Sequence, residues 1–366
     1  MKKSGLFLGA FLLTLSGIAE VIPPQKEAMI ERSEFEKHYA KDREHFSINA
    51  PKRIDPAMKV ESETTHQGFR MQTVSYLVEA DERINAYLIY PKDMKPGEKR
   101  PLVLCLHGTN LYGKDAPVGN FASYPPAKNE REVNKRINRL QALHLAERGF
   151  ICFVPDRPGY GARRVAEFKE AKDAIKAQSA YIAKLKETRP GWDYRRGKVI
   201  HDLQQALDFL EKMPEIDAAN IGSIGHSLGG NDTAEIAAAD KRIKAAVISC
   251  GGGITIDKKY WEKSENYADL VKKSLPMPAE RNLTLHAIAP RAMFLLVGMT
   301  DQFSPQSMMS SVQLLRDYYL SQMPAKDLEQ KHLLSVMFHS AGHDMPEYVR
   351  DTMYAWLKLQ LMPAQQ

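Results

Sequence analysis

Five stretches of this chain are almost continuously apolar: PLVLCLHG (101–108), FICFVP (150–155), AAVISC (245–250), AMFLLVG (292–298) and LLSVMF (333–338). A strand with one wet face alternates apolar and polar residues, because successive side chains point to opposite faces. Runs without alternation read as strands covered on both faces, as in a parallel sheet between helices. The intervening segments fit that reading. In VIHDLQQALDFLEKM (199–213), Ile200, Leu203, Leu207 and Leu210 recur at spacings of three and four, one stripe of a helix. Residues 137–147, 228–238, 306–320 and 345–360 read the same way. Strand alternating with helix predicts an α/β fold: a mostly parallel central sheet with helices on both faces. Ahead of it, MQTVSYLVEADERINAYLIYP (71–91) holds two β-branched and aromatic runs joined by polar Glu79 to Arg83, which predicts an antiparallel hairpin.

The rest of the chain divides around that core. Lys2 and Lys3, the apolar run Gly5 to Ile18 and the small residues Gly17 and Ala19 predict a signal peptide over 1–19, cleaved near Ala19, and a secreted or periplasmic protein. An uncleaved anchor is the competing reading, but the run falls short of the roughly 20 residues that span a bilayer. No stable membrane insertion is expected after cleavage. Residues 20–66 are polar and Glu/Lys-rich, and read as an N-terminal extension with a helix around 27–42. The catalytic domain is expected over 67–366, with insertions at about 109–135, 160–197 and 252–290. Each insertion starts at or shortly after the C-terminal end of a buried strand, the edge where open α/β sheets place ligands. Losing two lysines with residues 1–19 lowers the formal charge from +6 to +4, too small and dispersed to point to nucleic acid. Cys105, Cys152 and Cys250 sit in or at the end of apolar runs, so they read as buried small hydrophobes without a structural disulfide. A Cys105–Cys152 pair is the alternative.

The segment NIGSIGHSLGGNDTAE (220–235) carries an apolar run into Gly225-His226-Ser227-Leu228-Gly229 and then into a small-residue helix. A plain glycine-rich connection is one reading. The stronger one is Gly-x-Ser-x-Gly between strand and helix, which lifts a serine nucleophile onto a sharp turn. Ser227 then needs a base, and the base an orienting acid, in the chain order serine, acid, histidine. His343 follows the last apolar run in a glycine-flexed loop and is the expected base, with His339 as rival. Asp301 follows AMFLLVG and is the expected acid, ahead of Asp317 and Asp344. The N–H groups of Leu228 and of Thr109, in the loop after PLVLCLHG, are the expected oxyanion donors. His107 and His226 read as residues that shape these loops. A metal on the His339/His343 pair is set aside, because Gly342 argues against a helix there and no third ligand is evident. No cofactor is expected.

With these motifs in place, the chain resembles the α/β-hydrolase superfamily, and in particular its dienelactone-hydrolase-like and acetyl-xylan-esterase-like members. The carriers are LVLCLHG (102–108), AERGFICFVPDRPGYGAR (146–163), HDLQQALDFLEKMPEIDAANIGSIGHSLGG (201–230), PRAMFLLVGMTDQFSP (290–305) and HSAGHDMP (339–346). The resemblance covers roughly residues 70–361. It implies a serine esterase acting through an acyl-enzyme on a small-molecule or carbohydrate ester, with Asp156 and Arg157 bracing loops and a homo-oligomer among the arrangements such proteins adopt. Two other functions share the fold. A peptidase of the prolyl-oligopeptidase kind usually carries a large N-terminal propeller, which residues 20–70 cannot supply. A non-catalytic binding member would not need the intact serine, acid and histidine series.

Overall fold

The computed structural model describes residues 50–165, 174–188, 190, 192, 196–252, 284–301 and 305–362. Nine strands form one sheet: β1 (Lys59–His66), β2 (Phe69–Glu79), β3 (Glu82–Tyr90), β4 (Arg100–Leu106), β5 (Ile151–Pro155), β6 (Ile216–His226), β7 (Ile243–Ser249), β8 (Ala292–Gly298) and β9 (Leu334–His339). Their spatial order is β1-β2-β3-β5-β4-β6-β7-β8-β9. The predicted hairpin is β2 and β3, and it pairs antiparallel with β1 on one side and β5 on the other. From β5 to β9 every pairing is parallel.

Both faces of this sheet are covered, which explains the unbroken apolar runs. Leu102, Leu104 and Leu106 of β4 join a core with helices α4 (Gly197–Leu210), α5 (Leu228–Ala239) and α6 (Pro305–Gln322). Val103 and Cys105 of the same strand join the opposite core, with α2 (Gln141–Ala146) and α8 (Glu347–Leu361). The predicted stripe of α4, Ile200, Leu203, Leu207 and Leu210, is buried throughout. Each such leucine contributes about 2 kcal/mol by leaving water. All three cysteines are buried and free.

The remaining helices are α1 (Glu130–Ile137), α3 (Ala174–Thr188) and α7 (Ala325–Gln330). Several boundaries differ from expectation. The sheet begins inside the segment read as an extension: β1 has the sequence KVESETTH, exposed along almost all its length, so no apolar signal marks it. The expected helix over 137–147 is two helices, α1 capped by the Asn129 side chain and α2, broken at 138–140. The last strand, β9, is half-buried because it closes the sheet edge. The helix expected around 27–42 and most of the 252–290 insertion lie outside the described residues.

The chain reverses direction across the sheet at β4: β5 lies to one side of it and β6 to the other. Open α/β sheets place their sites at such a switch point, beyond the carboxyl ends of the strands. The loops after β4, β6, β8 and β9 carry every residue the sequence singled out for catalysis.

Candidate active site

Ser227 follows β6 and caps α5 with φ 59° and ψ −118°, left-handed backbone that a side-chain-bearing residue rarely takes. The neighbouring glycines make the turn sterically open. A Cβ on Gly225 would stand 2.1 Å from the Gly229 carbonyl oxygen, and one on Gly229 would stand 2.2 Å from that of Leu106. The turn is pinned by the Ser227 N–H, which donates to the Ser249 carbonyl at 2.8 Å, and by the Asn231 N–H, which donates to the Ser227 carbonyl at 3.1 Å. Asn231 is therefore the first residue of α5 to donate within the helix. Leu228 opens the helix, where an N–H has no intrahelical acceptor and points outward from the positive end of the dipole.

The residues expected as base and acid lie together. His343 Nδ1 lies 2.7 Å from Asp301 Oδ2, and the carboxylate is almost fully shielded while the imidazole is 39% exposed. Their loops approach at the backbone, since a Cβ on Gly298 would meet the Gly342 carbonyl at 2.0 Å. The His343 ring lies against that of His226, 4.6 Å between centroids. The rivals are used elsewhere. His339 is buried, with its Nδ1 accepting from the Ala341 N–H at 3.3 Å. Asp344 accepts from the Met345 N–H and from Asn138 Nδ2, tying the base loop to the end of α1. Asp317 accepts from Gln313 within α6.

The loop after β4 lies alongside. A Cβ on Gly108 would be 3.8 Å from Ser227 Cβ. His107 Nε2 accepts from the Arg157 N–H at 3.0 Å, so its Nδ1 carries the proton and donates to the Gly108 carbonyl at 2.8 Å. Asn110 Nδ2 donates to the same carbonyl at 2.9 Å. A trans peptide points its C=O and N–H in opposite directions. Fixing the Gly108 oxygen therefore fixes the Thr109 N–H to the other side. Burial holds the His107 pKa below its ordinary value, which keeps the ring in the neutral form this arrangement requires. Gly108, Thr109 and Asn110 line a cleft of about 200 Å³ with Phe121, Tyr124, Lys135, Arg136, Arg139 and His226.

Asp156 braces loops as the resemblance implied. It accepts from the Lys114 N–H and Nζ and from the Ala162 N–H, joining the loops after β4 and β5. Arg157 Nε donates to Asp232 of α5 at 2.7 Å. The aromatic residues of the insertions divide by role. Tyr112 and Tyr124 stack on each other, and Arg136 lies over Phe121 and Tyr124 at the cleft. Trp192 is buried edge-on against His201, so it is local core. Tyr194, Tyr260, Trp261 and Tyr267 lie outside the described residues.

Three residues of the site escaped the sequence reading. Ser249 holds both the Ser227 N–H and, through Oγ at 2.8 Å, His226 Nδ1. Cys250 follows it in left-handed backbone with φ 47°. Its thiol pKa is pushed up to about 12 by burial and then by the Asp301 carboxylate. Arg139 lies between the cleft and Asp344. Only the β6–β7 register, which sets His226 opposite Ser249, makes the first of these visible.

Residues 132–313 match the Dienelactone hydrolase family. The Bacillus subtilis (strain 168) protein YtaP is 28% identical over 169 residues, 44% of this chain, and the chain spans about half of YtaP's own length (50%). Among solved structures, a glucuronoyl esterase from Solibacter usitatus superposes with a TM-score of 0.61 at 17% identity, over 91% of this chain and 94% of that one. A glucuronoyl esterase from Teredinibacter turnerae gives 0.59 at 18%, over 90% and 85%. An acetyl xylan esterase from a Paenibacillus species gives 0.53 at 16%, over 93% and 100%. At these identities the superpositions speak for the fold. The strand order, the elbow after β6 and the family match agree: this chain has the α/β-hydrolase fold, and its residues 132–313 are similar to the hydrolases of the dienelactone hydrolase family.

Proposed function

We propose that this hydrolase is an exported serine esterase that cleaves a carboxylic ester, of the acylated-carbohydrate class, through Ser227, His343 and Asp301. The observation that carries the reading is the 2.7 Å His343–Asp301 pair beside a serine held at φ 59°. In this mechanism Asp301 accepts from His343 Nδ1–H, which leaves Nε2 as the proton acceptor. Ser227 Oγ attacks the ester carbonyl as its proton passes to Nε2. The Leu228 and Thr109 N–H groups receive the oxyanion, and the imidazolium protonates the departing alkoxide. Water then enters, loses its proton to His343 and releases the acid and Ser227. Support for a sugar comes from the cleft beside Ser227, whose wall includes the aromatic residues Tyr124 and Phe121. The structural neighbours, two glucuronoyl esterases and an acetyl xylan esterase, point the same way. Export rests on the basic and apolar character of residues 1–19.

One experiment tests the whole reading. The chain is expressed with its leader, the mature N terminus is read by mass spectrometry, and short-chain aryl esters, acetylated xylan and aminoacyl amides are assayed. Cleavage near Ala19, ester hydrolysis, and a fall of about 10⁶-fold in kcat for Ser227→Ala are expected. Amide cleavage without ester cleavage would overturn the esterase, and activity that survives Ser227→Ala would overturn the mechanism.

A further inference from the structure

A second donor set shares this site. One ring nitrogen from each of His226 and His343 and the Sγ of Cys250 lie within 4.8 Å of one another. They arrive from the last residue of β6, the residue after β7 and the loop after β9, so no sequence spacing announces them. Two imidazoles and one thiol make a set suited to zinc, whereas calcium and magnesium take oxygen. We propose that His226, Cys250 and His343 bind a borderline-soft divalent cation, Zn²⁺ foremost, and that the bound ion stops ester hydrolysis by occupying the base. The inhibition rests on the serine-esterase reading; the binding does not.

Each donor is prepared for a metal. His226 is buried, its Nδ1 is engaged by Ser249 Oγ, and its Nε2 has no hydrogen-bond partner among the described residues. Buried polar atoms without partners are uncommon, and a cation supplies one. His343 Nδ1 is held by Asp301, the carboxylate–histidine support that orients metal-binding imidazoles. This trio differs from the His339/His343 pair considered from sequence; His339 Nε2 stands 4.0 Å from Cys250 Sγ.

Coordination balances simply. The Cys250 S–H proton leaves to solvent as the sulfur lone pair binds the ion, so one proton is released per metal bound. Zn–S near 2.3 Å and Zn–N near 2.0 Å set tetrahedral donors about 3.5 Å apart, so the trio closes by about 1 Å. The part-exposed loop residue His343 is the donor free to make that movement. Water completes the shell.

The test uses the full chain, titrated with Zn²⁺ while aryl-ester hydrolysis is followed, and separately with Co²⁺ while the thiolate-to-cobalt charge-transfer absorption is followed. One ion per chain is expected, with inhibition reversed by chelator. For Cys250→Ala and Cys250→Ser, each normalised to its own zinc-free rate, half-inhibition moves at least about tenfold higher and the cobalt band disappears. Wild-type zinc sensitivity in both variants, or no thiolate–cobalt band in the wild type, overturns the proposal. If the chain hydrolyses no ester, the esterase reading falls, and the cobalt band still decides the metal site.

Discussion

At Ser227 the backbone is held in a strained conformation. A non-glycine residue in left-handed geometry costs about 1–3 kcal/mol, and such strain persists where surrounding bonds over-determine it. Here those bonds are the ones to Ser249 and from Asn231. The Thr109 N–H is set as firmly by different means, because His107 and Asn110 together hold the Gly108 carbonyl and so fix the direction of that N–H. Removing Asn110 should loosen that aim while His107 keeps part of it. Losing an oxyanion donor outright lowers kcat by about 10²–10³. We expect about a tenfold loss of kcat for Asn110→Ala with KM nearly unchanged. A raised KM at constant kcat would instead make Asn110 a substrate-binding residue and sink the aiming role. The places of Ser227, Asp301 and His343 in the fold were legible in the sequence because each follows a recognisable strand. Asn110 and Ser249 were not, because their work depends on which loop lies beside which.

The hairpin and the helix that supports it show the same limit among whole elements. The turn residues Glu79 and Glu82 read as an ordinary polar connection between β2 and β3. In the structure they converge on Lys198 of α4, which is completely buried. Its Nζ contacts Glu79 Oε1 at 2.5 Å, Glu82 Oε2 at 2.6 Å and Asp202 Oδ1 at 2.8 Å. Arg163, from the loop after β5, adds contacts of 2.7 Å to Glu82 and Asp202. The two cations depress the Glu82 pKa to about 2 against a desolvation that would raise it. The apolar stripe of α4 was readable from its spacing, but the pattern gives a lysine on that helix no reason to be inside. Removing one member of a buried ionic cluster leaves the others unpaired, at about 3–5 kcal/mol. Lys198→Met should therefore lower the thermal midpoint by about 5–10 °C, and adding Glu79→Gln should restore part of the loss. A Lys198→Met protein that melts with the wild type would show that the cluster contributes nothing net.

Across the whole molecule, burying both faces of a nine-stranded sheet also encloses titratable groups. His107, His144, His201, His226 and His339 all have pKa values held below the ordinary 6.5, with burial the largest cause in each, and His144 is lowered to about 4. A histidine whose folded pKa is depressed is neutral in the fold while the unfolded chain takes up a proton near 6.5. Above that pH the two states bind protons alike and these groups leave stability unchanged. As the pH falls below 6.5 the unfolded state gains protons first, so stability is lost until the folded pKa is reached. Each such proton is worth up to about 1.4 kcal/mol per pH unit. Asp232 and Asp317, whose carboxyl pKa values burial raises, act in the opposite direction. Five histidines against two carboxylates leave the net slope unfavourable to the fold. Glu82 contributes its own loss only below its ordinary 4.5. The interval between pH 6.5 and about 5 therefore separates the histidines from Glu82. Urea midpoints should be level from pH 8 to 7 and fall steadily from 6.5 to 5. Midpoints that stay level down to pH 5 would mean that these rings titrate in the fold as they do in the open chain.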